Sequence, residues 1–369
     1  MDAEHVVNSL KKRNLVILPD RIEEYEEEVS RRQTALPSKE YWQGKKVFIT
    51  GINGFAGSHL AEALLELGAE VHGLVRRKSV PIHSNLKNVR GKVTLHTGNL
   101  LSEKKINEII HEINPNVIFH LAAESFVPTS FREPGLVVNT NLAGTVHVLE
   151  ACIGLKGLEA VHLAGSSEQY GLVKPEDCPI NEDTELKPMS VYAITKIGLE
   201  LAGKHYFRAF SVPVIITRGF NHTGPRRGQE FVTSVTTRQV AKALLRGEKT
   251  FRIGNMDSFR DFTDVRDMVK GYMLAVEKGK KGEAYALCSG KTIRIKDLVE
   301  LAMKLHGVEM RVEVDPKRGR PSDVPILLGD YSKAKQEFGW EPVIPITRTL
   351  KDMVEWFKEN PDFLDVEHH

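Results

Sequence analysis

Apolar positions along the chain follow two periods that alternate from about Lys45 onward. Short runs such as Val47-Phe48-Ile49 read as buried strands. The set Leu60, Ala61, Ala63, Leu64, Leu65 and Leu67 has the three- and four-residue spacing of a helix packed on one face. The pattern predicts strands over 47–50, 70–75, 93–97, 117–121, 160–164 and 212–217, with helices over 56–67, 104–113, 136–155 and 191–209 between them. Such alternation implies a parallel sheet wrapped by helices on both faces. Beyond Asn221 the elements shorten, with helices near 231–246, 265–278 and 295–305 among loops rich in Gly, Pro and Arg. Before Lys45, the acidic stretch 21–29 carries Ile22, Tyr25 and Val29 at helical spacing, which predicts one amphipathic helix, either packed on its own subunit or used in assembly.

The expected fold class is therefore α/β: a doubly wound parallel sheet of the Rossmann type with a smaller, interleaved C-terminal lobe for substrate. The chain divides into a charged helical extension at 1–44, a nucleotide-binding domain at 45–220 and mainly the smaller lobe at 221–365. With 51 basic against 49 acidic residues in 369, the net charge is only +2, so no global field points to nucleic acid or to a membrane surface. No apolar run reaches membrane-spanning length, and the amino terminus is charged where a secretory signal would be apolar. Cys152, Cys178 and Cys288 have neither disulfide-framework nor metal-ligand spacing, so no metal is expected and the reducing cytoplasm is the expected compartment.

The chemistry falls at the carboxyl ends of the predicted strands. Thr50-Gly51-Ile52-Asn53-Gly54-Phe55-Ala56-Gly57 joins the first strand to the first helix, where backbone N–H groups and the positive helix end can hold a pyrophosphate. Arg76, Arg77 and Ser79 follow the second strand. A basic cluster there suits the 2′-phosphate of NADP, whereas an acidic residue would favour NAD, so NADP is the expected cofactor and NAD the alternative. Asn99 and Leu100 follow the third strand, Leu121, Ala122, Ala123 and Ser125 the fourth, Ser166 and Glu168 the fifth, and Asn221 the sixth. Tyr192 and Lys196 lie one helical turn apart, which lets an ammonium sit beside a phenol and make it a usable acid or base. Arg260 and Arg320 supply the two guanidiniums that a nucleoside diphosphate needs for bidentate pairing.

These motifs, with His120-Leu121-Ala122-Ala123, Asn141-Leu142-Ala143-Gly144-Thr145, Gly165-Ser166-Ser167-Glu168-Gln169-Tyr170-Gly171, Arg260-Asp261-Phe262 and Arg320-Pro321-Ser322-Asp323, resemble the extended short-chain dehydrogenase/reductases that act on nucleotide sugars. The resemblance covers about 45–360. It implies that Ser166 bonds the sugar oxygen beside the reacting carbon, that Tyr192 moves its proton, and that Lys196 holds the nicotinamide ribose. Asn99 stands where the family usually places an aspartate against adenine, and an amide can still hydrogen-bond there.

The segment from Asn221 to Thr233 is similar to that of GDP-mannose 4,6-dehydratases, in which the residues matching His222 and Arg227 contact NADP, and Arg76, Arg77 and Ser79 match that group's phosphate loop. Other segments, such as Arg320 to Pro325, resemble the GDP-6-deoxy-4-keto-mannose reductases, and Ser234-Val235 replaces the Arg-Lys of the dehydratase pattern. A dehydratase acting on a GDP-linked sugar is the expected activity, with Glu168 removing the acidic proton at C5 of a 4-keto sugar so that water leaves from C6. The reductase is the alternative, followed by a 4-epimerase and, from another class, a non-catalytic NADP-binding sensor or scaffold. A homodimer or homotetramer is the expected assembly.

Overall fold

The computed structural model describes residues 3–76, 85–315 and 324–365. In chain order the strands are β1 (Lys46–Thr50), β2 (Glu70–Val75), β3 (Thr94–Thr97), β4 (Val117–His120), β5 (Ala160–Ala164), β6 (Val214–Gly219), β7 (Asn221–Thr223), β8 (Thr250–Ile253), β9 (Phe259–Asp264), β10 (Ala284–Leu287), β11 (Thr292–Arg294), β12 (Arg311–Val314) and β13 (Ile326–Leu327). Seven of them make one parallel sheet in the order β3-β2-β1-β4-β5-β6-β10. The α/β doubly wound architecture expected from the alternation is the one present.

Strand β1 shows why the sheet is covered on both faces. Val47 and Ile49 point to one side, among Leu60, Leu64, Met268 and Trp340. Phe48 points to the other, among Ile106, Ile110, Val148 and Leu199. All three are fully buried, as a central parallel strand requires. Strand order reverses between β1 and β4, where Thr50 lies beside His120, and the crevice beyond that reversal is where open parallel sheets take their ligands.

The sequence reading misses β10. Its four residues leave the smaller lobe to close the edge of the large sheet beside β6. The helix expected over 136–155 is interrupted: Pro134–Val138 and Gly144–Glu150 are α-helical, and the turn between them, Asn139–Ala143, is a π-helix. In the smaller lobe β9 pairs with β7, β11 and β13. Helices Val232–Arg246, Ile295–Leu305 and Ile346–Glu359 pack a separate apolar cluster there.

The N-terminal segment holds two longer helices rather than the expected one, Ala3–Lys12 and Ile22–Ser30, because Val6 and Leu10 also sit four apart and both are buried. The first helix packs near Val173, Cys178 and Ile180. The second puts Tyr25 and Val29 among Val240, Phe251, Leu298 and Val354. Between them Ile17 donates to the Thr292 carbonyl at 2.7 Å and Thr292 returns a bond to Leu15, adding a bridge at Val16 to the edge strand β11. Lys291 Nζ reaches Glu28 at 2.7 Å, and Arg32 donates to the carbonyls of Ser289 and Pro342. The segment therefore lies along its own subunit. Val29→Ala, which empties a site 2% exposed, should cost about 2 kcal/mol, read as a lower Tm with turnover of the folded enzyme unchanged.

No helix among the described residues is long and apolar enough to cross a membrane. The three cysteines are buried and unpaired.

Candidate active site

The crevice opens into a cleft of about 900 Å³. At its floor, Gly51 has φ +75°, and a Cβ there would stand 2.8 Å from the Ala122 backbone nitrogen. A Cβ on Gly57 would stand 2.2 Å from the Gly51 carbonyl oxygen, so the first helical turn can close on the strand exit only without a side chain. Helix Phe55–Glu66 begins at Gly54 with no side-chain cap, which leaves its first N–H groups for an anion. Gly51, Asn53, Gly54, Phe55, Ala56 and Gly57 all line the cleft.

The loops after the next strands complete that wall. Arg76 at the end of β2, Asn99 and Leu100 after β3, and Leu121, Ala122, Ala123 and Ser125 after β4 line it. Arg77, Ser79 and Arg320 lie outside the described residues. Behind the β4 loop, Thr50 Oγ1 accepts from the Ala122 N–H and meets His120 Nδ1 at 2.8 Å, while His120 Nε2 meets Thr145 Oγ1 at 3.0 Å. Burial first, then the charge of Lys196, pushes the His120 imidazole down to about 3, so it serves as a neutral brace.

Tyr192, Lys196, Ser166 and Glu168 meet at the carboxyl end of β5. Helix Val191–Phe210 is started by Ser190, whose Oγ accepts from the Ala193 N–H. Ser166 is extended, and its Oγ accepts from the Glu168 N–H at 3.2 Å. The same hydroxyl bonds the Tyr192 phenol. Burial pushes that phenol up to about 12 against the Ser166 bond, the Glu168 charge raises it further, and Arg227 draws it back. Lys196 is nearby, 5.8 Å from the centre of the Tyr192 ring, but its Nζ donates to the Ala164 carbonyl at 2.7 Å. Spacing alone suggests an ammonium that lowers the phenol's pKa. Here burial dominates both groups, and the Lys196 ammonium is itself brought down to about 8. The Glu168 side chain, on the cleft wall, makes no ion pair among the described residues.

The roof comes from the segment after β6. His222 stacks on Phe55 with ring centres 5.9 Å apart and planes 4° apart, and Arg227 lies 3.5 Å over the Phe231 ring and 5.0 Å from Phe55. Burial brings the Arg227 pKa down to about 10, which keeps it cationic at neutral pH. This segment is pinned by Arg226, at φ +72°, whose guanidinium meets both Glu62 oxygens at 2.7 and 2.6 Å. Asn221 also faces the cleft, and its buried Nδ2 has no partner among the described residues.

Arg260 is placed differently from its expected role. It sits on β9, 7% exposed, donates to the Phe259 carbonyl, and is not among the cleft-lining residues. Its alternation on the strand turns it inward, which the look of a polar loop motif concealed.

The family model described as GDP-mannose 4,6 dehydratase matches residues 48–353. The chain belongs to the GDP-mannose 4,6-dehydratase family. The GDP-mannose 4,6-dehydratase of Yersinia enterocolitica is 33% identical over 349 residues, covering 84% of this chain and 93% of its own. Among solved structures, that of RMD from Pseudomonas aeruginosa complexed with NADPH is similar with TM-score 0.73 and 27% identity, covering 86% of this chain and 99% of that one. A UDP-glucose 4-epimerase from Thermotoga maritima with UDP-glucose has TM-score 0.77 and 28% identity, with coverage of 86% and 99%.

Within this family member the cleft also holds residues that sequence reasoning did not assign. Glu124, Thr140, Phe231 and Tyr272 line it. Asn141, in the π-helical turn, accepts from the Glu124 N–H at 2.8 Å and donates to the Glu124 carbonyl and to Thr195 Oγ1 at 3.1 Å each. It thereby ties the β4 loop to the helix of Tyr192. The motif beginning at Asn141 was the available signal, since π turns concentrate at functional sites.

Proposed function

We propose that this enzyme binds NADP across the glycine turn and dehydrates a GDP-linked hexose, GDP-mannose, to its 4-keto-6-deoxy product. Supporting the nucleotide are the side-chain-free approach at Gly51 and Gly57, the uncapped helix start and Arg76 on the rim. When bound, NADP would take up a hydride from C4 of the sugar and give it back at C6. Tyr192, acting as its phenolate, takes the proton of the C4 hydroxyl as the C4–H bond breaks, with Ser166 orienting that oxygen and Lys196 holding the nicotinamide side. Glu168 then removes the C5 proton and delivers it to the C6 hydroxyl, which leaves as water, and C5 takes back a proton, equal to the one held on Tyr192, as the hydride reaches C6. The observation that carries the reading is Glu168, a carboxylate on the same cleft wall as Ser166, Tyr192 and Lys196. A 4-epimerase has no step that needs it, whereas some 4-keto-sugar reductases carry much the same segment, so activity on GDP-mannose separates the dehydratase from the reductase.

Asn221, with its unpartnered amide, is proposed to bond the sugar, and His222 and Arg227 to cover the cofactor. Arg260, buried on β9 away from the cleft lining, drops out of the role at the diphosphate, which is proposed for Arg320. The reductase is the second reading, favoured by Ser234 in place of a basic residue; Ser234 is buried and bonds the Arg227 carbonyl at 3.1 Å. We further divide the chain at 44/45 and 220/221. A second copy is proposed to cover the exposed Leu136, Ile194 and Leu201, giving a homodimer or homotetramer in the cytoplasm.

The deciding assay incubates the protein with GDP-mannose and no added cofactor. A 4-keto-6-deoxy sugar is expected, and no product there, with NADPH consumed on a 4-keto-6-deoxy sugar, would replace the reading by the reductase. For the cofactor, Arg76→Ala with Arg77→Ala should weaken NADP about 10- to 100-fold while leaving NAD within about threefold, because only NADP offers the extra phosphate to the guanidiniums. Equal losses in titrations of the two nucleotides would remove the arginines from that role.

A further inference from the structure

In the segment from Ser166 to Gly171 the Gln169 side chain turns away from the cleft, as that of Tyr170 does, into a closed polar cluster. It is fully buried. Its Oε1 accepts the Ser166 N–H at 2.8 Å, and its Nε2 donates to Glu200 Oε2 at 3.0 Å. Glu200, on the same helix as Tyr192 and Lys196, is gripped by Arg218 of β6 through both oxygens at 2.9 and 2.7 Å, and Lys204 adds a bond at 2.7 Å. Arg218 continues to the Tyr170 hydroxyl at 3.1 Å and the Glu182 carbonyl at 2.9 Å. Burial opposes the Glu200 charge, but Arg218 and Lys204 hold its carboxyl at about 2, so it is a permanent acceptor.

The amide is therefore fixed at both ends, its orientation set by a carboxylate that can only accept and an N–H that can only donate. Lys196 pulls on the Ala164 carbonyl two residues before Ser166. Between these two anchors Gly165 has no room for a side chain, since a Cβ would stand 2.7 Å from Gln169 Oε1. We propose that Gln169 is a positioning residue, which transmits the fixed placement of the buried Glu200–Arg218 pair to the Ser166 backbone and so aims the Ser166 hydroxyl at Tyr192 and the substrate oxygen. Displacements of about 1 Å at such a hydroxyl are enough to lower turnover about 100-fold.

The proposal rests on the dehydratase reading for its activity test, so a substrate-free test accompanies it. In hydrogen exchange followed by mass spectrometry, Gln169→Leu should speed exchange of the peptide covering 164–171 at least about tenfold, with helix Val191–Phe210 unchanged, because the Ser166 N–H loses its acceptor. With GDP-mannose, kcat should fall about 10- to 100-fold and KM less than about threefold. Gln169→Glu keeps the acceptor for Ser166 but sets a second carboxylate against Glu200, in reach of Arg218, Lys204, Tyr170 and the Glu182 carbonyl. Only when protonated can it replace the lost donor, so its kcat should recover as pH falls, a limb absent from the wild type. If Gln169→Leu does not fold, that pH limb decides. Unchanged exchange and kcat in the leucine variant, or no acid recovery in the glutamate variant, would overturn the proposal. A wild type inert toward GDP-mannose would overturn the dehydratase reading while leaving the exchange result to judge Gln169.

Discussion

Replacing Tyr192 with phenylalanine is expected to lower kcat about 100- to 10,000-fold, the range for loss of an acid/base that moves a proton in the rate-determining complex. The phenol is 8% exposed, bonded to Ser166, and set against Val127 and Val137, so the ring itself should keep its place. Cofactor affinity and Tm should therefore stay close to wild type. The measurement is steady-state kinetics on GDP-mannose beside a nucleotide titration. Near-normal turnover would mean that another group handles the C4 proton. Tyr272, a second buried phenol on the cleft wall, would be the first alternative to examine.

A comparable loss of product, by a different route, is expected of Glu168→Gln. The amide retains the shape and gives up the basicity. Oxidation at C4 depends on Tyr192, so it should proceed, and the nicotinamide should appear in its reduced form on adding GDP-mannose. Removal of the C5 proton should stall, lowering formation of the 6-deoxy product about 100-fold or more. Exchange of the C5 hydrogen with solvent, followed by mass spectrometry, should be lost in parallel. Wild-type product formation in this variant would return Glu168 to a purely structural place at the start of the turn after β5.

What was legible in the sequence was what depends on neighbours in the chain. The glycine turn is recognisable because strand, turn and helix adjoin, and Tyr192 with Lys196 because one helical turn relates them. Positions past the ends of strands gave most of the cleft wall for the same reason. The failures involve partners far along the chain. Strand β10 is four residues bounded by turns, too short for its period to be read, and its place beside β6 is set by a partner some 70 residues earlier. Arg260 has the composition of a binding loop, yet it is a buried strand residue whose orientation follows from its pairing with Ile293 and Leu327. The Lys196 ammonium finds the Ala164 carbonyl, and that preference reflects desolvation in a cleft that spacing on one helix cannot express. Gln169 and Asn141 belong to the same class, since their amides join segments that meet only after the sheet has formed.

The N-terminal segment carries a consequence for how the chain is made. The first of its helices can already meet Val173, Cys178 and Ile180, but the link after it and the second helix are anchored by Ser289, Lys291, Thr292 and Pro342, so they are not held until those later residues have left the ribosome. During that interval the second helix, with Tyr25 and Val29 lacking Leu298 and Val354, trails from a nascent nucleotide-binding sheet that can already assemble β1 to β6. Such long separations in sequence make its docking a late event. Translation that stops before the mid-280s would leave the second helix and the outer edge of β6 unpaired, and an open strand edge beside an exposed apolar helix face is a template for aggregation. Synthesis through β10 and β11 and solubility are thus tied together by where the second helix comes to rest.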